Sequence, residues 1–464
     1  MPGLPLSNVQ TRDLDAVLHP YAPIHRLREI GPTIMGRGKG VHVFDTQGRP
    51  YIEGMAGLWC AGLGFGDEEM IEAATEQLST LPYYHIFGAK GTEPAIELAE
   101  KLKEIAPVPI SKVLFTSSGS EANDTQVKLA WYMNNARGLP NKKKIISRVK
   151  AYHGVTVMAA SLTGLPGNHA GFDLPVDRVL HTDCPHLYRF GVDGESEAEF
   201  TARLAANLEA LIEREGGDTI AAMIAEPVMG AGGVIVPPQG YFEAIQPILK
   251  AHDIILIADE VITGFCRTGN WWGSQTLGMV PQTLSVAKQM TSAYAPLGAV
   301  LVPEDIFQSY VDHSRQLGAF GHGFTYGGHP LGCALGVKAI EIYQRRDILG
   351  HVRRLAPVFA ARLDAIAAHP LVGEVRHCGL VGGVELVADT ASRRSFEAKK
   401  GIGPLVVRLT EDEGVIVRSL GDTISFCPPM IISEAELNEM FDRFERALAK
   451  AETEISRLGL RAAS

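Results

Sequence analysis

The stretch IILIADEVITGFCRTG, which begins at Ile254 and ends at Gly269, decides the fold. Its apolar, largely β-branched first part predicts a strand buried on both faces, and this strand ends on two carboxylates, Asp259 and Glu260. A second apolar run, LSVA, leads directly into Lys288, and a turn and another strand, GAVLV, follow. An acid and an amine at the carboxyl ends of two buried strands lie where open α/β sheets bind their ligands.

Strand and helix patterns alternate along the chain on both sides of this stretch. Apolar strand patterns occur at residues 112–116, 144–149, 220–225, 254–258, 284–287 and 298–302. Helical periodicity separates several of them, notably at residues 121–135, 199–213 and 241–252. Repeated β-then-α units predict a mainly parallel sheet with helices on both faces. We therefore predict an α/β fold whose large domain spans residues 66–334.

The two ends of the chain predict a smaller domain beside this sheet. Residues 1–65 contain a surface arm and the segment GVHVFDTQGRPYIEGM, whose break at Gln47-Gly48 predicts a hairpin. Residues 335–464 continue a helix and then show short strand patterns (GGVELVA, GVIVRSL and TISFCPP) and a charged final helix. We predict that both segments pack together as one α+β domain.

Composition narrows the class of protein. The chain has 464 residues, is 46% hydrophobic and 21% charged, and carries a net charge of −10. These values are typical of an enzyme-sized globular protein and argue against nucleic-acid or anionic-membrane partners. No apolar stretch approaches the ~20 residues of a membrane span, and no targeting pattern is found, so we expect a cytoplasmic protein. Six scattered cysteines without CxxC spacing predict neither a disulfide framework nor a zinc site.

Two clusters before the central stretch are suited to ligand binding. In KVLFTSSGSEAND, a strand leads into Ser118, Gly119 and Ser120, and a helix opens at once. Free N–H groups at a helix N-terminus suit a phosphate, although the same pattern also serves an ordinary N-cap. Tyr152 and His153 follow a strand in AYHGVTV, where an aromatic side chain either packs in the core or stacks on a flat ring.

Two more clusters lie in AEPVMGAGGVIVPP and GHGFTYGGHP. Glu226 ends a strand and is by default a solvated or paired charge, while the glycines around Ala231 serve a turn. Thr325 lies among glycines and two histidines, His322 and His329. Because no third ligand occurs at a suitable spacing, we predict no metal site.

Together these clusters predict pyridoxal 5′-phosphate (PLP) as the ligand. The cofactor has a phosphate for the turn at Ser118, a flat ring for Tyr152, a ring nitrogen for Asp259 and an aldehyde for Lys288. Asp259 would keep the ring nitrogen protonated, and Lys288 would move a proton to and from the substrate. Taken alone, the acid and the amine could instead form a salt bridge.

The ordered motifs FTSSGSEAND, AYHG, EPVMGAGG, DEVITGFCRTG, the Lys288 segment and FTYGGHP resemble the class III aminotransferases of PLP fold type I over nearly the whole chain. The resemblance implies a mainly parallel seven-stranded sheet and a homodimer whose active sites are shared across the interface; whether dimers pair into tetramers stays open. It also implies cofactor contacts for Lys288, Asp259, Ser118, Gly119, Ser120, Tyr152, His153, Val261, Glu226 and, on the neighbouring subunit's phosphate, Thr325.

Within that family the sequence is most similar to the ω-amino acid and amine:pyruvate transaminases. Leu58 and Trp59 match their substrate-pocket loop, and Phe87 would enter the pocket from the partner subunit. Arg418, in GVIVRSLGD, matches a mobile arginine whose guanidinium pairs with a substrate carboxylate. Without the resemblance, Trp59 could equally be a core aromatic and Arg418 an exposed strand-end residue.

Pocket size and substrate choice depend on a few positions. Ala231, with Phe87, predicts a roomy apolar pocket beside Tyr152 that accepts a bulky amine or ketone. Gln289, Ala293 and Cys266 stand where glycine is common in the family, which leaves the substrate open.

The expected activity is PLP-dependent transfer of an amino group from a small-molecule donor, an amine or an ω-amino acid, to a keto acid, with pyruvate as the expected acceptor and a ping-pong cycle. Aminomutase or decarboxylase chemistry on the same fold is the enzymatic alternative. A non-catalytic PLP-fold binding dimer would lack the Schiff-base lysine or the ring-nitrogen acid, and both are present.

Overall fold

The computed structural model describes residues 6–461, which form sixteen α-helices and fifteen strands. The helices are α1 (Asn8–Ala16), α2 (Ile24–Ile30), α3 (Ala56–Trp59), α4 (Glu68–Thr80), α5 (Glu93–Ile105), α6 (Gly119–Ala136), α7 (Val157–Leu162), α8 (Leu187–Phe190), α9 (Glu197–Glu215), α10 (Tyr241–Ala251), α11 (Gly273–Thr276), α12 (Glu304–Leu317), α13 (Pro330–Arg345), α14 (Ile348–Ile366), α15 (Ile402–Asp412) and α16 (Glu434–Arg457). The strands are β1 (Met35–Lys39), β2 (His42–Asp45), β3 (Pro50–Glu53), β4 (Lys112–Thr116), β5 (Lys144–Arg148), β6 (Val179–Thr182), β7 (Ile220–Ala225), β8 (Ile255–Asp259), β9 (Thr283–Val286), β10 (Gly298–Val302), β11 (Val372–Cys378), β12 (Val381–Leu386), β13 (Val415–Ile416), β14 (Arg418–Leu420) and β15 (Thr423–Phe426).

The central sheet has seven strands in the order β4-β10-β9-β8-β7-β5-β6. Only β10 runs antiparallel to its neighbours, so the predicted mainly parallel α/β sheet is confirmed. Every residue of β7, β9 and β10 is buried, which explains their apolar runs without alternation. The helices that pack against its strands include α5, α6, α7, α9 and α10.

Strand β6 is the member of the central sheet that the sequence patterns did not predict. It has four residues, lies at the sheet edge beside β5, and is only half buried. A short edge strand carries too few apolar residues to stand out, and its His181 interrupts the pattern.

Two four-stranded sheets flank the central one, in the orders β1-β2-β3-β13 and β11-β12-β15-β14. Strand β13 pairs in parallel with β3, so segments from the two ends of the chain share one sheet. The segment GVIVRSL is not a single strand, because the chain changes sheets at Val417, between β13 and β14. The domain boundaries at residues 65 and 334 stay a prediction, and α13 continues through the second of them.

A buried ionic cluster ties the β11-β12-β15-β14 sheet to the loop after β7. The Arg376 guanidinium pairs with Glu374 and, at 2.5 Å, with Glu385, while His186 Nε2 lies 2.7 Å from Glu374 Oε2. Arg376 also donates from a terminal nitrogen to the backbone oxygen of Gly233 at 2.7 Å. Although one histidine and two acids lie close enough together to hold a metal, both carboxylates already have cationic partners, since Arg376 pairs with Glu374 and Glu385 and Arg189 also pairs with Glu385.

Within residues 6–461, no helix combines the length and the hydropathy that a membrane span requires.

Candidate active site

The chemically distinctive side chains follow the strands of the central sheet at one edge. Asp259 is the last residue of β8, Glu226 follows β7, Lys288 follows β9, Tyr152 follows β5 and Ser118 follows β4. These strands are mutually parallel, so their carboxyl ends meet at the same edge of the sheet. The structure therefore brings the predicted cofactor residues into one region.

Asp259 is buried but is not paired with Lys288. Its Oδ2 lies 2.7 Å from Asn123 Nδ2 and 2.7 Å from His153 Nδ1, and its Oδ1 accepts from the Val261 N–H at 3.1 Å. Within residues 6–461 no lysine or arginine forms an ion pair with it, which rules out the salt-bridge alternative. A buried carboxylate held only by such partners still favours a cationic N–H group as a ligand.

Asn123 and His153 orient this carboxylate. The Asn123 amide also donates to the backbone oxygen of His153 at 2.7 Å, and the His153 ring is fully buried. Asn123 was missed from sequence, although it lies one helical turn after Gly119 on α6 and therefore on the same face. That spacing was the signal that could have found it.

The N-terminus of α6 lies against the strand ends. Ser118 is the N-cap, and its Oγ accepts from the Glu121 N–H at 3.2 Å. A Cβ atom at Gly119 would lie 3.0 Å from Val261 Cγ1, so glycine permits this close approach. Ser120 Oγ accepts from the Val155 N–H at 3.2 Å. The first N–H groups of α6, which have no partner inside a helix, remain suited to an anion.

Glu226 is a buried structural clamp and not the solvated charge that is its default interpretation. Its two carboxylate oxygens accept from the N–H groups of Tyr152 and Gly230, each at 3.0 Å. Burial raises the pKa of Glu226, and the nearby His153 opposes that rise. The acid thereby fixes both the Tyr152 loop and the loop that carries the partly exposed Ala231.

Lys288 presents an amine without a protein partner. The side chain is partly exposed, and among the residues the structure covers its Nζ makes no hydrogen bond or ion pair. Its backbone has a φ of 46°, a left-handed conformation that is uncommon outside glycine and often marks functional sites. The next residue, Gln289, is buried, and its backbone oxygen accepts from the Tyr343 hydroxyl at 2.8 Å.

The residues fit PLP on three independent observations. A buried acid without a cationic partner, an unpaired amine and a helix N-terminus with room for an anion converge at the strand ends. They match a ring nitrogen, an aldehyde and a phosphate respectively.

The predicted substrate residues come from other parts of the chain. Trp59 is only 2% exposed and packs in a cluster with Val228 and Ile262, whereas Leu58 is 54% exposed. The Arg418 guanidinium lies 5.9 Å from the centre of the Tyr21 ring. No carboxylate in the described part of the chain pairs with Arg418.

Tyr21, in the N-terminal arm, belongs to the same neighbourhood and was not predicted. Burial raises the pKa of Tyr152, the Tyr21 hydroxyl raises it further, and the charge of Arg418 lowers it. Tyr21 also accepts a hydrogen bond from Asn168 Nδ2 at 2.6 Å. An exposed arm without periodic pattern gives no sequence signal for such a contact.

Phe87 and Thr325 lie in a different region, on two exposed loops. The Tyr83 hydroxyl donates to the Thr325 backbone oxygen at 2.8 Å, and a Cβ atom at Gly323 would lie 3.1 Å from the Phe87 ring. Within residues 6–461 no hydrogen bond or ring contact joins these loops to Lys288. The structure brings the loops that carry Phe87 and Thr325 together, and within residues 6–461 no recorded contact joins them to Lys288.

The two histidines near Thr325 have protein partners. His322 Nε2 lies 3.0 Å from Thr125 Oγ1 and its Nδ1 lies 2.9 Å from Lys128 Nζ. His329 Nδ1 accepts from the Leu331 N–H at the start of α13. Each ring therefore serves the local fold.

The architecture, with its mostly parallel seven-stranded sheet and smaller flanking sheets, is that of PLP-dependent enzymes of fold type I. A family model described as "Aminotransferase class-III" matches residues 26–448, and the chain belongs to that family. As a class III aminotransferase it uses PLP and transfers an amino group to a keto acid.

Named relatives and solved structures agree with this assignment. The chain is 46% identical over 443 residues to "Gamma aminobutyrate transaminase 1, mitochondrial" of Solanum lycopersicum, covering 95% of this chain and 86% of that protein. It is similar to the omega transaminase of Pseudomonas jessenii in complex with PMP, with 49% identity, a TM-score of 0.96, and coverage of 97% and 99% of the two chains. The PMP-bound aminotransferase of Vibrio fluvialis gives 42% identity, a TM-score of 0.95, and coverage of 97% and 100%.

The expectation of a cytoplasmic protein is contradicted by the comparison. Curated relatives at 46% identity over 95% of the chain are named as mitochondrial and as chloroplastic enzymes. Charge, composition and the lack of an apolar span describe how a chain behaves in water and do not report its compartment. The prediction of a cytoplasmic location was therefore wrong, because it took these properties as evidence of the compartment.

Proposed function

We propose that this class III aminotransferase acts on amines and ω-amino acids and uses pyruvate as its acceptor. The observation that carries the proposal is the unpaired Arg418 guanidinium beside Tyr152 and Tyr21. An unpaired guanidinium at a pocket can bind a carboxylate in bidentate fashion, as a keto acid or ω-amino acid requires. The omega transaminase similarity supports the same subclass.

We assign cofactor roles to the residues at the strand ends. Bound PLP supplies an electron sink that weakens the Cα–H bond of the substrate. Asp259 would hold the ring N–H, with Asn123 and His153 fixing the carboxylate, and the N-terminus of α6 would hold the phosphate. Val261 and Tyr152 would contact the two ring faces.

Lys288 would hold the aldehyde carbon and, once released, move a proton at the substrate Cα. Its amine has no competing protein acceptor in the described range, and its neighbours Gln289 to Thr291 are buried, so its backbone is fixed while its side chain is free. A free amine on a fixed backbone suits a group that must change partners during a reaction.

We further propose that the active unit is a homodimer. Phe87 is 47% exposed, and Thr325 lies beside it on a neighbouring loop, away from the Lys288 of the same chain. Phe87 belongs to a group of exposed aromatic residues that also contains Tyr83, Tyr84 and Tyr326, and a contiguous exposed apolar patch marks an interaction surface. In the dimer, Phe87 would complete the substrate pocket of the partner subunit, and Thr325 would reach its cofactor phosphate.

Half-reactions test this function. The purified PLP-loaded protein is mixed with 1-phenylethylamine, β-alanine, γ-aminobutyrate or a diamine in the absence of acceptor, and ketone or aldehyde release and cofactor absorbance are followed. A transaminase releases one carbonyl product per site and recovers its initial absorbance when pyruvate is added. Release of CO₂ or of a rearranged amine would instead identify decarboxylase or aminomutase chemistry. Activity with β-alanine but none with 1-phenylethylamine would overturn the proposal that the enzyme accepts amines without a carboxylate.

A further inference from the structure

Glu53 is a buried carboxylate that the proposed reaction does not use. It is the last residue of β3 and is 5% exposed, and no cationic side chain within residues 6–461 pairs with it. Its Oε1 accepts from the N–H of Met55 at 2.8 Å. An unpaired buried acid costs folding free energy and is retained where its hydrogen bonds serve another purpose.

The backbone that this carboxylate holds is strained. Ala56, Gly57 and Trp59 have φ values of 47°, 70° and 66°, and a non-glycine residue rarely adopts such angles. The conformation turns neighbouring side chains in opposite directions, since Leu58 is 54% exposed and Trp59 is 2% exposed. A strained loop keeps such a shape only where its surroundings fix the backbone.

We infer that Glu53 is a positioning residue for the substrate pocket, and that it acts through the loop from Met55 to Cys60. The carboxylate anchors the start of this loop and thereby sets how Leu58 and Trp59 face the substrate. The inference rests on the proposed function and on the resemblance that assigns Leu58 and Trp59 to a substrate-pocket loop. Burial raises the pKa of Cys60, at the end of this loop, and the charge of Lys288 opposes that rise, which is consistent with a position near the amine.

The ionisation of Glu53 should therefore control the loop. Burial raises the pKa of Glu53 to about 7, the backbone N–H groups of Met55 and Gly57 lower it, and the Glu411 carboxylate raises it. The Cys60 and Cys427 thiols also face Glu53, and its charge adds to the rise that burial causes in their pKa. The ionised form accepts both N–H groups best, so the loop is held most firmly above neutral pH.

The pH dependence of folding stability has the opposite sign to that of loop ordering, because protonation of Glu53 is linked to folding. The raised pKa means that the folded protein prefers the protonated acid, so this contribution to stability is complete below the ordinary pKa of Glu and is lost as the pH rises through about 7. At alkaline pH the enzyme thus keeps an ionised Glu53 that orders the loop and weakens the fold. A residue with a purely structural role would not show this combination.

The test compares the PLP-loaded wild type with Glu53→Gln and Glu411→Gln. Glu53→Gln preserves the side-chain shape but replaces one acceptor oxygen by an N–H₂ donor, so kcat/KM for 1-phenylethylamine at pH 8 should fall about 10-fold. Cofactor absorbance should not change, and the melting temperature at pH 8 should equal or exceed that of the wild type. Hydrogen exchange of a peptide covering residues 54–60 should become several-fold faster, with other peptides unaffected.

Glu411→Gln is the matched control, because it removes a neighbouring charge without touching the loop. It should shift the midpoint of the wild-type kcat/KM profile near pH 7 to lower pH and leave the plateau rate intact. A lower melting temperature of Glu53→Gln with faster exchange throughout the protein, or unchanged exchange in residues 54–60, would overturn the inference. If the wild type transaminates none of the amines, the proposed function fails, while the exchange comparison still decides whether Glu53 holds the loop.

Discussion

The strand-end edge and the substrate-side loops of this enzyme are built in different ways. At the edge, Asp259 and Glu226 are buried, and each accepts several hydrogen bonds from neighbouring elements. On the substrate side, Leu58, Phe87 and Arg418 are wholly or partly exposed and come from distant parts of the chain. On the proposed assignment of the site residues, the cofactor chemistry depends on a rigid sheet, while substrate choice depends on loops that can vary without disturbing it.

The sharpest way to test this division is to remove the amine. Lys288→Ala should lower turnover roughly 10³-fold or more with every substrate, because it removes the amine that would hold the cofactor aldehyde and move the proton at the substrate Cα. The protein should also lose the yellow absorbance of the lysine-bound cofactor while keeping its fold by circular dichroism. Substrate-dependent losses would contradict the separation of chemistry from selection.

Asp259→Asn tests the buried acid and should lower kcat roughly 10²-fold for all amines alike. The asparagine keeps the size of the side chain but removes the charge that would hold a protonated ring nitrogen. Single-turnover absorbance measurements give the rate of the half-reaction. Asn123→Ala, which removes a 2.7 Å contact to that acid, should cause a smaller loss in the same direction. Equal rates for wild type and Asp259→Asn would show that this carboxylate does not act on the cofactor.

Arg418→Leu should separate the two regions by substrate. Loss of a charge-assisted, bidentate contact should lower kcat/KM for pyruvate and for ω-amino acids by about 10- to 100-fold. The half-reaction with 1-phenylethylamine, which has no carboxylate, should keep its rate. An equal loss of rate with pyruvate and with 1-phenylethylamine would show that Arg418 acts on the reaction itself and not on the choice of substrate.

Ala231→Thr should give the smallest effect. The added atoms project from the loop that Glu226 clamps through Gly230, so turnover of bulky amines should fall by a few-fold to about 10-fold, as expected for steric overlap in a pocket. Turnover of L-alanine should stay within about two-fold of the wild type, since small substrates leave that space free. Equal rates for bulky amines in both proteins would remove the basis for a roomy pocket.

The sequence predicted the edge better than the loops, for physical reasons. Buried parallel strands read as unbroken apolar runs, so a polar residue directly after such a run marks the carboxyl edge, as at Asp259 and Glu226. Asn123 could have been predicted from sequence, because it lies one helical turn after Gly119 on α6. Tyr21 could not be found in this way, because its contact with Arg418 joins segments far apart in sequence and leaves no local pattern. Glu53 bonds to Met55, only two residues along the chain, but its buried position depends on distant segments such as those of Glu411 and Cys427, which also leave no local pattern.

Three strands were not predicted from sequence, for a related reason. Strands β1, β6 and β11 are short or partly exposed, so their sequences mix polar and apolar residues without a clear period. The change of sheet at Val417 is likewise invisible in GVIVRSL, since both halves are extended. Pairing partners, and not the local sequence, decide which sheet each half joins.

Arg376 couples the loop that contains Gly233 and Ala231 to the β11–β12 hairpin. Its guanidinium is fixed by Glu374 and Glu385 on the β11–β12 hairpin and holds the backbone oxygen of Gly233, close to Ala231. If this hairpin rotates against the central sheet, the hydrogen bond from Arg376 moves the loop that contains Gly233 and Ala231 in the same direction. If the loop lines the substrate pocket as we propose, the width of that pocket is coupled to the position of the hairpin, and crosslinking the hairpin to the sheet should fix that width as well.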